Sequence, residues 1–184
     1  MTEINPDIAS IVLTEDDIQT RVAQMGKQIS EDYRGEDLLL IGVLKGAFVL
    51  MADIARAMSI PAEFDFMAVS SYGSSTRTSG IVRILKDLDM DLAGRNVLII
   101  EDIVDSGLTL SYLLKNIKGR KPRSLEICAL MTKPDVQEVS LDIRYHGFPI
   151  PPEFVVGYGL DYKQRYRNLP YVGTLKPHVY EERA

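Results

Sequence analysis

Glu101 and Asp102, followed within a few residues by Asp105-Ser106-Gly107-Leu108-Thr109, are the densest run of chemistry-bearing residues in the chain. Adjacent carboxylates accept hydrogen bonds from sugar hydroxyls, hold a divalent cation or take up a proton. The residues after them favour an opposite partner. Backbone N–H groups and two hydroxyls at the start of a helix attract an anion, and Gly107 lets the backbone approach it closely. Because carboxylates repel phosphate, the two halves fit together only if each meets a different part of a ligand. A molecule with both a ribose and a phosphate satisfies them. So does a metal-bound pyrophosphate beside them.

The elements around this run can be read from periodicity. Val97, Leu98, Ile99 and Ile100 have the length and β-branching of a strand covered on both faces. Leu110, Leu113, Leu114 and Ile117 recur at helical spacing directly after the loop. Upstream, Thr14 and Asp17 make a capping box for a helix with the apolar stripe Ile18, Val22, Met25, Ile29 and Tyr33. Residues 38–43 read as a second buried strand, turning at Lys45-Gly46 into a helix whose buried side carries Phe48, Met51, Ala55 and Met58. Next comes a strand in which Phe64, Phe66 and Ala68 alternate with Glu63, Asp65 and Met67. Residues 70–80 are polar and form a mobile loop, and 81–86 return as the hairpin partner. Further strands are expected at 125–131, 143–146 and 154–158.

Alternating strands and helices imply an α/β fold, with a mainly parallel twisted sheet flanked by helices. In such sheets ligands bind beyond the carboxyl ends of the strands. Lys45-Gly46, the acidic loop and Lys133 each follow a strand end. The chain of 184 residues reads as one domain, 1–184, with net charge −5. That charge argues against a nucleic-acid partner. No apolar run approaches the ~18 residues of a membrane span, and the N-terminus does not resemble a secretory signal. The lone cysteine, Cys128, lies in an apolar run and reads as a buried, inert thiol, consistent with a cytoplasmic location. Gly26-Lys27 lacks the rest of a P-loop, Tyr162 replaces the third glycine of a dinucleotide fingerprint, and the two histidines are far apart. No nucleophile-elbow sequence is present.

The acidic strand-loop resembles the phosphoribosyl-pyrophosphate motif of the type I phosphoribosyltransferases. With Gly42-Val43-Leu44-Lys45-Gly46, Ser71-Tyr72-Gly73, Lys133-Pro134 and Phe154-Val155-Val156-Gly157-Tyr158-Gly159-Leu160-Asp161-Tyr162, the chain resembles the bacterial hypoxanthine(-guanine) phosphoribosyltransferases nearly end to end. The resemblance implies transfer of a 5-phosphoribosyl group to N9 of hypoxanthine, and of guanine, with magnesium as cofactor. It implies a core over residues 36–145 and a hood made from the N-terminal segment and 146–184. Asp105 would act as the base at the purine N7. Leu44, Lys45, Gly46, Ser71, Tyr72, Glu101, Asp102, Asp105, Ser106, Gly107, Leu108, Thr109 and Arg167 would bind phosphoribosyl pyrophosphate, with a cis peptide between Leu44 and Lys45 and Ser71-Tyr72 closing over the pyrophosphate. Lys133, Phe154, Val155 and Asp161 would bind the purine. Glu101, Asp102 and Asp161 would hold the metal, and Lys163 and Arg165 would be solvated neighbours. A homodimer or homotetramer is implied. An enzyme of this fold acting on xanthine or a pyrimidine is the nearest rival, and Lys133, Phe154 and Asp161 disfavour the pyrimidine. An RNA-binding regulator on the same scaffold would need a basic face, which this acidic chain lacks outside 163–167.

Overall fold

The computed structural model describes residues 4–71 and 82–180. Strand β1 (Ile8–Leu13) leads into α1 (Glu15–Asp32), where the capping box is formed. The Thr14 hydroxyl accepts from the Asp17 N–H at 3.1 Å, and the Asp17 carboxylate accepts from the Thr14 N–H at 3.2 Å. The apolar stripe of α1, with Tyr33 just beyond it, is buried as its spacing requires.

The remaining elements are β2 (Leu38–Leu44), α2 (Phe48–Ala57), β3 (Glu63–Ser71), β4 (Val82–Lys86), β5 (Asn96–Val104), α3 (Leu108–Lys118), β6 (Ser124–Thr132), β7 (Tyr145–Pro149), β8 (Val172–Leu175) and α4 (Pro177–Tyr180). Six strands form one sheet in the order β4-β3-β2-β5-β6-β7, parallel throughout except for β4, which returns antiparallel to β3. β1 and β8 pair separately and antiparallel.

Alternate residues of the central strands feed opposite faces. Leu40, Leu98 and Leu130 pack with α1 and α2, whereas Leu39, Ile41 and Ile99 pack with Leu110, Leu113 and Ile117 of α3. Gly42 lies level with Ile100, and Ile100 with Cys128, so β2, β5 and β6 end at one edge of the sheet. The chain leaves those ends at Lys45, Asp105 and Lys133. Cys128 is fully buried, and burial pushes its thiol up to about 12. Among the described residues no helix is long and apolar enough to cross a membrane.

Four elements depart from the periodicity reading. α2 lays Leu50, Met51 and Ile54 on the sheet and leaves Phe48 44% exposed. Phe48 is the first residue of the helix and lines the cavity beside residues 164–170, so its ring faces open space although Met51, one turn on, is buried. In β3 the buried positions are Asp65 and Met67, with Phe64 exposed. Asp65 tolerates this because its carboxylate accepts from the N–H groups of Phe66, Asp89 and Met90 at 2.7, 2.8 and 3.0 Å. Residues 154–158 make only isolated bridges, Val156 to Gly173 and Gly157 to Leu160, because Gly157, Tyr158 and Gly159 adopt positive φ. The last strand of the sheet starts at Tyr145 and runs to Pro149, past the boundary drawn at 145. Tyr72 and the rest of the polar loop to Gly80 lie outside the described residues, as does Ile81.

Asp65→Ala leaves three N–H groups without their acceptor, so it is expected to destabilise the fold by about 2–4 kcal/mol. Urea denaturation, with unchanged slope and a lowered midpoint, checks this.

Candidate active site

The acidic pair lies inside β5 and not beyond it, since that strand continues to Val104. A cavity of about 210 Å³ opens there, lined by Glu101, Asp102, Asp105, Ser106, Gly107 and Thr109. Gly107 holds φ +81° at the N-cap of α3, and no side chain caps the helix. A side chain at Gly107 would be strained by that φ and would press on the Val139 carbonyl and Leu141. The Gly107 N-cap thus offers the first turn of α3 no side-chain acceptor; the Ser106 hydroxyl accepts from the Leu108 N–H at 3.4 Å. From behind, the Ser106 carbonyl accepts from Glu138 N–H at 2.9 Å and Val139 N–H at 3.3 Å, which fixes the loop's shape.

Burial dominates the electrostatics of the acids. The Glu101 Oε2 atom is buried and has no hydrogen-bond partner. Burial first, and the neighbouring Asp102 second, hold the Glu101 carboxyl well above the ordinary carboxylate range. Burial also pushes Asp102 up to about 6, against the N–H groups of Ile103 and Asp102 itself and the Arg167 charge. Both groups are arranged to gain from a hydroxyl donor or a cation that the protein does not itself supply.

Across from them, two backbone segments stack on one another. Gly46 sits against the Asp102 carboxylate so closely that a side chain there would overlap it, and Gly159 sits against the Gly46 carbonyl in the same way. The Leu44–Lys45 peptide is cis, as the resemblance implied. Arg167 donates to the Gly159 carbonyl at 2.7 Å and pairs with Asp161 at 2.7 Å. Gln164 joins the two cations, accepting from Lys45 Nζ at 3.2 Å and from Arg167 at 3.5 Å. Asp161 also accepts from the Gln164 N–H at 2.9 Å.

At the end of β6, Lys133 is 7% exposed, and its ammonium lies 3.4 Å from the Asp105 carboxylate. Phe154 is half exposed and meets the rings of Tyr162 and Tyr180 edge to face at 6.0 and 6.2 Å. Val155 beside it is buried. Glu101, Asp102, Asp105, Ser106, Gly107 and Thr109 thus share one cavity, whereas Leu108 is not part of its lining. Lys45, Gly46, Asp161 and Arg167 are linked over Asp102, and Lys133 joins Asp105. Ser71 closes β3, and Tyr72 lies outside the described residues. Lys163 is exposed, as expected of a solvated neighbour, and its ammonium lies 5.4 Å from the centre of the Tyr162 ring. Gln164, Gly159 and Tyr180 were not singled out from sequence. Two glycines flanking Tyr158 were the available signal for a close backbone approach.

The phosphoribosyl transferase domain model matches residues 11–163, and the chain belongs to that family. It is 59% identical to the hypoxanthine-guanine phosphoribosyltransferase of Mycobacterium avium, over 96% of this chain and 90% of that protein. It is 50% identical to the enzyme of the same name from Bacillus subtilis, over 95% and 97%. A hypoxanthine phosphoribosyltransferase crystal structure from Staphylococcus aureus superposes with TM-score 0.92 at 44% identity, covering 98% of this chain and all of that one.

The folded chain keeps a proton on Asp102 to higher pH than the unfolded chain, whose carboxyl has the ordinary value of 3.8. Stability of the free protein therefore falls as pH rises from 3.8 through about 6. Glu101→Gln keeps the shape and removes a buried ionisable group. It is expected to raise the melting temperature at pH 8, to change it little at pH 4, and to lower activity. Thermal denaturation at both pH values, beside an activity assay, checks the opposite signs.

Proposed function

We propose that this chain transfers the 5-phosphoribosyl group of phosphoribosyl pyrophosphate to N9 of hypoxanthine and guanine, releasing pyrophosphate, in purine salvage. The observation that carries this reading is the Lys133–Asp105 pair, a cation and a carboxylate 3.4 Å apart beside the uncapped start of α3. On one edge of a 6-oxopurine, the O6 acceptor and the N7 proton are neighbours at a comparable spacing. The curated relatives of high identity, which bear the name of this activity, support the reading.

In this mechanism N9 bonds to C1′ as the C1′–pyrophosphate bond breaks, through an oxocarbenium-like transition state. Asp105, with its side chain 60% exposed, takes the N7 proton as the base attacks. Lys133 donates to O6. Phe154 stacks on the ring, and the Val155 backbone bonds its edge. The N–H groups of Ser106, Gly107, Leu108 and Thr109, with the hydroxyls, hold the 5′-phosphate. Leu108 contributes its N–H and not its side chain. The Glu101 and Asp102 carboxylates accept from the ribose hydroxyls. The Lys45-Gly46 amides and Arg167 receive the departing pyrophosphate, stabilising the charge that develops there.

Magnesium would be held from the side of Glu101, which offers a buried oxygen with no partner, and of Asp102 next to it. Asp161 is taken up by Arg167 and the Gln164 N–H, and among the described residues no three acidic, histidine or cysteine side chains are grouped to hold a metal, so the trio expected from the resemblance is not assembled. The remaining ligands would come from water and substrate phosphates. When bound, it would neutralise charge on the pyrophosphate. A cytoplasmic location agrees with the free, buried Cys128. A homodimer or homotetramer is proposed as well, as the family resemblance implies.

Asp105→Asn is expected to lower kcat by about 10²–10⁴, with the circular dichroism spectrum unchanged. Turnover equal to the parent would remove Asp105 from this role. Lys133→Met is expected to lose the preference for 6-oxopurines. Pyrophosphate-release kinetics with hypoxanthine, guanine, xanthine and adenine test both this and the substrate assignment, and retained discrimination against adenine would contradict Lys133's part.

A further inference from the structure

Tyr158 holds φ +46° between Gly157 at +98° and Gly159 at +96°, a conformation that a tyrosine adopts only when its surroundings impose it. What imposes it is visible. The ring is 2% exposed, and its hydroxyl donates to Asp53 Oδ2 at 2.6 Å. Asp53 lies on α2, the helix that begins just after Lys45-Gly46, and it also pairs with Arg56. Burial and the Asp53 carboxylate push the Tyr158 phenol above its ordinary range, so it remains a donor at neutral pH. The backbone around it ties in the other arm: Tyr158 N–H donates to Leu169 O at 2.8 Å and Gly159 N–H to Arg167 O at 2.9 Å. A cavity of about 590 Å³, lined in part by Asp53, Tyr158 and residues 164–170, separates much of that arm from α2. The Tyr158 ring itself packs in the same core as Leu50, Met51 and Ile54 of α2, and the hydrogen bond to Asp53 fixes its direction there.

We infer that the Tyr158–Asp53 hydrogen bond is a latch that seats Gly159 on Gly46 and so positions Arg167 and Lys45 to receive pyrophosphate. It is a positioning device: neither side chain need touch substrate. The inference rests on the function proposed above and deepens its pyrophosphate side. It also predicts that Lys133, which sits at the end of β6 and contacts none of the latched arm, keeps its part in purine binding without the latch.

Tyr158→Phe and Asp53→Ala are expected to raise KM for phosphoribosyl pyrophosphate about tenfold, the scale of one hydrogen bond to a charged acceptor. KM for hypoxanthine and kcat should stay within about twofold. Asp53→Asn, which keeps an acceptor, should lie near the parent, and the double variant Tyr158→Phe/Asp53→Ala should be no worse than either single one. A merely structural role would lower the melting temperature and the active fraction while leaving both KM values alone, and that result would overturn the latch. Calorimetric titration of parent and Tyr158→Phe with inorganic pyrophosphate and magnesium separates the two readings. Failure of the parent to turn over phosphoribosyl pyrophosphate would sink the proposed function. Equal pyrophosphate affinity in parent and variant would sink the latch.

Discussion

Two carboxyl groups buried in a central strand, one of them with an oxygen that nothing satisfies, stand beside a helix whose N-cap is a glycine with no side chain to cap it. Each half is costly alone. Unpaired buried acids lose solvation that the protein does not return, and uncapped N–H groups leave hydrogen bonds unmade. A ligand with hydroxyls at one end and phosphate at the other relieves both at once. The site is thus stored as unfinished electrostatics inside a rigid frame. The protein gives up some stability in the free state to have those groups in place before a ligand arrives.

The frame is the register of the sheet. β5 lies between β2 and β6, with the three in step, so loops distant in sequence emerge at one edge. Lys45, Asp105 and Lys133 owe their proximity to that register and to the helices that bury the strands behind them. The fourth contribution has no regular element under it. Residues 157–167 run through turns with positive φ, and Gly159 and Arg167 reach the site by hydrogen bonds to backbone. Net charge is a poor guide here. A chain of net charge −5 still brings Lys45, Lys133 and Arg167 to the edge where anions would bind.

Local chemistry was legible where one side of an element meets one environment. The stripe of α1 and its capping box, the buried run of β5 and the helix after Gly107 each follow a single periodicity, and each forms as that periodicity requires. Burial of Asp65 was not legible, because its partners, the N–H groups of Asp89 and Met90, come from a turn more than twenty residues away. Phe154-Val155-Val156 has the composition of a strand. Positive φ at the next three residues ends any ladder there, and only the two glycines hinted at it. Phe48 reads as core from its type, yet it borders a cavity that no spacing rule reports, and its ring stays exposed. The contact of Gly159 with Gly46 spans more than a hundred residues. No spacing rule reports such an approach, although in both cases a residue without a side chain was the trace it left.

Binding of inosine monophosphate tests the central claim most directly, because that molecule carries both the ribose and the phosphate. In a crystal structure of the complex, the phosphate should lie on the N–H groups of residues 106–109 and the ribose hydroxyls on Glu101 and Asp102. A nucleotide bound with its phosphate away from the start of α3, and with the two acids untouched, would contradict the account.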